Sequence, residues 1–243
     1  MLRFFDMHSH MLCGVDDGAK TPEDMFSMLE MAYEDGVRAL CLTPHFSPYH
    51  FGDTTEKSQQ AFEILSAYVA EKHPDMQLYL GHELGYYHEC LEALDSGACR
   101  CINNSRYVLV DFPESVMFYE LSNAVERLQS AGYFVILAHT ERYTCLHKDR
   151  KWIEAFVESG GIVQLNASSG CGGWGKPAEK QWKKLLKHGL AHIISSDAHN
   201  LTERLPVMSN CLPFLQKHFD DATVADLVWS NACRVVADQR IEG

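Results

Sequence analysis

Ser195-Ser196-Asp197-Ala198-His199-Asn200 is the stretch that decides how this chain folds. It follows Ala191-His192-Ile193-Ile194, a short apolar run with the β-branched content of a buried strand. A carboxylate and an imidazole end that run two positions apart, and residues at i and i+2 share one side of an extended chain. Asp197 and His199 can therefore converge on one point. The same device opens the chain, where Asp6-Met7-His8-Ser9-His10 follows the apolar Leu2-Arg3-Phe4-Phe5. Either pair alone is more often a cap or a turn. Two such strand ends far apart in sequence point to one shared site, built where parallel strands finish.

Between these ends, strands are expected at residues 2–7, 37–43, 76–80, 107–110, 133–138, 162–165 and 191–194. Thr21-Pro22-Glu23-Asp24 opens a helix with an N-cap, a proline at the first position and early acids, and Gly36 stops it. Further helices are expected at 54–72, 88–94, 118–130, 147–159 and 177–187, with a closing amphipathic helix at 222–238. Lys180, Lys183, Lys184 and Lys187 face solvent in this scheme as a charged surface. The Gly-rich 169–175 is expected to be a mobile loop. Seven strands alternating with helices imply parallel pairing through right-handed crossovers, and a closed or nearly closed barrel suits them better than an open sheet. The 243 residues match the ~250 typical of one α/β barrel, so a single domain over 1–243 is expected. No Gly-x-Gly-x-x-Gly or Gly-Lys-Ser/Thr follows any strand, which removes the support for a nucleotide fold.

Acidic residues outnumber basic ones, 33 Asp+Glu against 21 Lys+Arg, so attraction to nucleic acid or to an anionic membrane is not expected. The first residues lack the pattern of a signal peptide, and no apolar run reaches the ~18 residues needed to span a bilayer. A cytoplasmic protein is expected, and nine cysteines without a repeating frame fit reduced thiols better than a disulfide scaffold. Cys145 to Arg150 is one residue short of the Cys-x5-Arg frame of a thiol phosphatase.

The strand ends carry His8 and His10, His45, Glu83, Asp111, His139, and Asp197 with His199, while Asp16 stands in the loop after the first strand. Six of the seven expected strands thus finish in a nitrogen or oxygen donor suited to Zn²⁺, Mn²⁺ or Fe²⁺. Nine donors exceed what one ion uses, and they point to two or three divalent ions with a bridging carboxylate. Clustered ions lower the pKa of a shared water and clamp the attacking and leaving oxygens of a phosphoester displacement, so phosphate-ester hydrolysis is the natural chemistry. Arg142, three residues after His139, and Arg204, five after His199, supply the guanidinium forks that match non-bridging phosphate oxygens.

Asp6-Met-His-Ser-His10, Val15-Asp-Asp-Gly18, Thr43-Pro-His45, Gly81-His-Glu83, His139-Thr-Glu-Arg-Tyr143 and Ser196-Asp-Ala-His-Asn200, taken together and in order, resemble the polymerase and histidinol phosphatase (PHP) superfamily. Within it the chain is similar to the capsular-polysaccharide tyrosine-protein phosphatase branch of bacteria. The resemblance implies an α/β fold, a distorted (β/α)7 barrel of PHP type with its metal site at the C-terminal ends of the strands. It implies three ions: His8, His10, Glu83 and Asp197 around one, Glu83, Asp111 and His139 around a second, and Asp16, His45 and His199 around the third. Manganese is the expected metal, with iron or zinc as alternatives, and Arg142 and Arg204 would grip the phosphate. Asp111 stands where that branch usually has Glu, one methylene longer, which predicts a second ion that sits deeper, binds weakly or completes its shell with water. Asp6 is expected to orient an imidazole from behind.

The implied activity is a metal-dependent protein-tyrosine phosphatase acting on a phosphotyrosine-bearing protein, a bacterial tyrosine kinase that controls capsular or exopolysaccharide synthesis. The alternatives are a small-molecule phosphatase such as a histidinol-phosphatase and a non-catalytic regulatory PHP domain. Phe46, Tyr49, Phe51, Tyr86 and Tyr87 are candidates to line a phenyl ring.

Overall fold

A computed structural model describes residues 2–241, and residues 1, 242 and 243 of the expected domain lie outside the described residues. Nine strands appear: β1 (Phe4–Asp6), β2 (Val37–Leu42), β3 (His45–Phe46), β4 (Gln77–Leu80), β5 (Glu83–Gly85), β6 (Tyr107–Asp111), β7 (Phe134–Leu137), β8 (Ile162–Asn166) and β9 (Ile193–Ser195). All their pairings are parallel. One run of neighbours is β1-β2-β4 and the other is β3-β5-β6-β7-β8-β9. The two runs are one wall, because β2 and β3 are halves of a strand interrupted at Thr43-Pro44, and β4 and β5 are halves of one interrupted at Gly81-His82. Pro44 has no N–H to give to a ladder. At Gly81 a Cβ would come 2.8 Å from Ile102 Cδ1.

Counted this way the nine segments are seven staves in chain order, as the alternation of strands and helices predicts. The last closes on the first: Ser9 bridges Ala198, the Asp197 amide donates to His8 O at 2.9 Å, and the His10 amide donates to Ala198 O at 2.8 Å. Alternate strand residues feed two separate cores, as a two-residue period requires. Val108, Val110, Val135 and Leu137 pack outward under the helices. Tyr107, Leu109, Ile136 and Ala138 point inward, where Ala232 and Val235 plug the interior with them. The barrel is a filled core, and its polar end is the rim to which β5, β6 and β8 deliver Glu83, Asp111 and Asn166.

The helices are α1 (Pro22–Asp35), α2 (Thr55–Lys72), α3 (Cys90–Asp95), α4 (Phe118–Ser130), α5 (Arg150–Glu158), α6 (Gly175–Lys187), α7 (Leu212–His218), α8 (Asp221–Ala225) and α9 (Asn231–Val236). α1 starts as its sequence predicts, with Thr21 Oγ1 accepting from the Asp24 amide and Asp24 accepting from the Thr21 amide, both at 3.1 Å. α5 begins later than the expected residue 147, because Asp149 caps it by accepting from the Trp152 amide at 3.3 Å. The expected closing helix over 222–238 is divided by a wide turn at Asp226–Ser230 into α8 and α9. Apolar periodicity does not show such a turn. The Gly-rich 169–175 folds as a tight turn, its Gly173 amide donating to Ser168 O at 3.0 Å. No helix among the described residues is long and apolar enough to cross a membrane.

Beneath the rim, buried His192 accepts from the Val163 amide at Nδ1, 3.2 Å away. Burial lowers its pKa to about 4. A histidine held neutral in the fold stabilises it fully above the unfolded value of ~6.5 and loses that contribution as pH falls toward 4. The metal-free protein is expected to lose about 1.4 kcal/mol of stability per pH unit through this group across that window. Urea unfolding at stepped pH checks it: His192→Gln should show a shallower acid slope, and an unchanged slope would remove His192 from the account.

Candidate metal centre

Glu83, at the start of β5, is the hub. Its Oε1 lies 3.1 Å from His8 Nε2 and 3.2 Å from His139 Nε2. Its Oε2 lies 2.9 Å from His45 Nδ1 and 3.2 Å from His10 Nε2. Among the described residues Oε2 nevertheless has no partner with hydrogen-bond geometry, although it is buried. Imidazole nitrogens and carboxylate oxygens crowded this closely, with Oε2 left without a well-formed hydrogen bond, suit a shared cation.

Three sets of donors lie close enough to hold an ion: His8, His10 and Asp197; His45, Glu83 and Asp111; and His10, Asp17, His45 and His199. His139 joins the second set through Asp111 Oδ1, 3.4 Å from its Nε2. The shorter Asp111 side chain therefore still reaches the cluster. Two of the strand ends carry backbone strain, His139 at φ 33° and Asp197 at φ 55°, the left-handed region that costs a side chain free energy and concentrates at functional sites.

One expected ligand is placed otherwise. Asp16 turns behind the rings, where Oδ2 accepts from His10 Nδ1 at 2.7 Å and from the His45 amide at 2.9 Å, while Oδ1 accepts from the Gly18 amide at 2.9 Å. Its neighbour Asp17 faces the cluster instead, with Oδ1 3.4 Å from His199 Nε2 and 3.5 Å from His45 Nε2. Asp16 thus fills the orienting place that the sequence suggested for Asp6. Asp6 touches no imidazole nitrogen and instead accepts from Ser196 N at 2.9 Å and Ser196 Oγ at 2.5 Å, tying the end of β1 to the end of β9.

The stave with no expected donor, β8, supplies support. Gln164 Oε1 accepts from the His139 amide at 2.7 Å and lies 3.2 Å from His8 Nδ1. Asn166 Nδ2 donates to Asp197 Oδ2 at 2.8 Å. Sequence reasoning passed over both, although they stand two apart at a strand end like the ligands themselves. It also passed over Glu141, buried inside His139-Thr-Glu-Arg, which accepts from the Asn166 amide at 3.0 Å and from Ser169 Oγ at 2.5 Å.

The electrostatics are those of a site made for cations. Burial alone would lower the pKa of His8 and His45, but Glu83 together with Asp197 at His8, and with Asp16 and Asp17 at His45, outweighs it and raises them to about 9 and about 10. Burial would raise Asp17, and His199 and His45 hold it well below the usual carboxylate range. Burial and the neighbouring His10 push His199 down to about 4. Cations arriving at His8 and His45 would displace protons, so metal uptake should strengthen with pH.

Both predicted arginines reach the rim beside Asp197. Arg204 Nη2 is 2.6 Å from Asp197 Oδ1, and its Nε is buried without a hydrogen-bond partner among the described residues. The loop before it is wound around Asn200, whose Oδ1 accepts from the amides of Thr202, Glu203 and Arg204 at 3.0, 2.8 and 3.1 Å. Arg142 forks onto Glu114 at 3.0 and 2.9 Å, with Nη1 3.7 Å from Asp197 Oδ2. Trp174 braces both: its ring centre is 3.8 Å from Arg142 Cζ and 5.3 Å from Arg204 Cζ. Of the candidate aromatics, Phe51 stacks on His45 with centroids 5.2 Å apart, and exposed Tyr49 meets Tyr87 edge-on at 5.8 Å. Phe46 is buried in the core and Tyr86 packs against Phe112.

Comparison with known proteins agrees with this geometry. The chain is 27% identical over 241 residues to the tyrosine-protein phosphatase CpsB of Streptococcus pneumoniae, covering 97% of this chain and 99% of that one. It is 31% identical over 199 residues to CapC of Staphylococcus aureus, covering 82% of this chain and 78% of that one. A crystal structure from work on YwqE of Bacillus subtilis and CpsB of S. pneumoniae, described as metal-dependent tyrosine phosphatases, superposes with a TM-score of 0.87 at 25% identity, covering 98% of this chain and 96% of that one. The profile of the family described as "Capsular polysaccharide synthesis, CpsB/CapC" matches residues 4–237. With that match over nearly the whole chain, the chain belongs to the CpsB/CapC family of capsular polysaccharide synthesis.

Proposed function

We propose that this chain is a metal-dependent phosphatase that hydrolyses phosphotyrosine in proteins. The observation that carries this reading is the convergence of three donor sets around Glu83, with Arg142 and Arg204 on one edge. His8, His10 and Asp197 would hold one ion, Glu83, Asp111 and His139 with His45 a second, and Asp17, His45 and His199 the third. Manganese is the metal proposed, and a donor set of imidazoles and carboxylates without thiolate also admits iron or zinc. Ions held there would acidify a shared water and polarise the phosphate.

The chain's own groups do the rest. Glu83 and the imidazoles fix where the phosphate sits, and Asp16, Gln164 and Asn166 keep the ligands aimed. Arg142 and Arg204 bind the non-bridging oxygens and favour the charge that develops on them. Phe51 stacks on His45, where an aryl ester would lie. The substrate proposed is a tyrosine kinase of the capsular or exopolysaccharide system, in keeping with the names of the relatives. We place the activity in one domain spanning the chain and in the cytoplasm, a compartment that suits nine free thiols.

Metal-reconstituted protein assayed side by side on a phosphotyrosine peptide and on histidinol phosphate tests this reading. The peptide is expected to be the better substrate, and a preference for histidinol phosphate would overturn the proposal. Chelation should abolish turnover while thiol alkylation leaves it largely intact, since burial pushes the Cys145 thiol up and away from the reactive thiolate. The opposite pattern would return Cys145 as a nucleophile.

A further inference from the structure

The molecule carries a formal charge of −12, yet its positive charge gathers along one flank. Two adjoining hollows of about 640 and 670 Å³ share Lys176, Lys180 and Lys184, so they form one groove along α6. Lys148 lines one end, and Lys187 and His188 line the other. The one acid in the lining, Glu179, is paired with Lys183. Among the described residues none of Lys148, Lys176, Lys180, Lys184 and Lys187 has a carboxylate within ion-pair distance. A cluster of unneutralised lysines on an acidic protein is repulsive in itself and becomes favourable when an anion occupies it.

The helix that carries these lysines follows directly on Trp174, which braces both arginines. α6 begins at Gly175, the residue after Trp174, and leads from the rim, where β8 ends, back toward the start of β9. Its 13 residues span about 20 Å. At about 3.3 Å per residue, that length accommodates about six residues of extended peptide.

We propose that this groove docks an acidic stretch flanking the phosphotyrosine, so that the enzyme selects tyrosines set in acidic sequence. The inference rests on the phosphotyrosine reading above. A peptide suits the groove better than a lipid surface does. The large exposed apolar side chains that would enter a bilayer, Tyr49, Ile64, Met117 and Tyr119, do not line it.

The test uses the full chain with Lys176, Lys180 and Lys187, all exposed, changed together to Glu. Two phosphotyrosine peptides of equal length, one with Asp and Glu on both sides and one with Ala and Ser, are compared with p-nitrophenyl phosphate. The wild type should show a KM for the acidic peptide about tenfold below that for the neutral one, the sum of several exposed charge pairs, and the gap should shrink with added salt. The triple variant should lose the gap with kcat unchanged and with p-nitrophenyl phosphate unaffected. Fluorescence anisotropy of the labelled acidic peptide reports the same discrimination without turnover, so a failure of the phosphatase reading is seen separately. Equal KM values in the wild type, or a gap that survives charge reversal, overturn the proposal. So does loss of phosphatidylglycerol-vesicle binding in the variant with peptide discrimination intact, which would make the groove a membrane footing.

Discussion

Glu83→Gln is expected to lose bound metal and to lower kcat/KM by about 10³–10⁴, the several kcal/mol that clustered ions contribute to phosphate-ester hydrolysis. Its carboxylate oxygens stand 2.9–3.2 Å from four of the proposed ligands, His8, His10, His45 and His139. Glutamine keeps the shape and removes the charge, and it presents N–H donors to nitrogens that should face a cation. Elemental analysis beside circular dichroism separates this from misfolding. A Glu83→Gln protein with its full metal complement would contradict the assignment of Glu83 as a metal ligand.

The same substitution has a consequence for the metal-free protein. Glu83 is the principal charge holding the His8 and His45 pKa values up at about 9 and about 10, against burial. Folded values above the unfolded ~6.5 mean that the stabilisation is fully present below pH 6.5 and is lost as pH rises through 9 to 10. Metal-free wild type should weaken across that alkaline window, and metal-free Glu83→Gln should weaken less.

Arg142→Ala and Arg204→Ala are each expected to lower kcat/KM by about 10²–10³ while retaining metal, the loss typical of removing one transition-state charge partner. Asp197, which Arg204 touches at 2.6 Å, stays anchored without it through Asn166 Nδ2 at 2.8 Å. Lysine at either position should recover only part, because an ammonium cannot make two parallel hydrogen bonds. Near wild-type turnover in both alanine variants would remove the phosphate clamp, and with it the chief sequence-level reason for choosing phosphoesters over other metal-assisted hydrolysis.

What was legible in the sequence lay where a strand ends in a donor. His8, His10, His45, Glu83, Asp111, His139, Asp197 and His199 all reach the rim because a parallel barrel brings the C-terminal ends of its strands together. Asp16 and Asp17 could not be told apart, since adjacent acids in a loop have no strand period to orient them. The His10 ring and the amides of Gly18 and His45, which take up Asp16, decide which acid faces inward. Gln164 and Asn166 were passed over because amides ligate these metals less often than carboxylates and imidazoles do, and here they hold the groups that do. The broken closing helix and the late start of α5 depend on local hydrogen bonds that apolar periodicity does not encode. The lysines of α6 looked like any solvated face until the fold set that helix directly after Trp174, beside both arginines.

The central claim is that one centre holds several ions. Metal content per chain after reconstitution with excess Mn²⁺ and removal of free ion tests it most directly. The geometry predicts more than one tightly bound ion per chain, falling on substitution of Glu83 and unchanged on substitution of Arg142. One ion or fewer in the wild type would contradict the cluster.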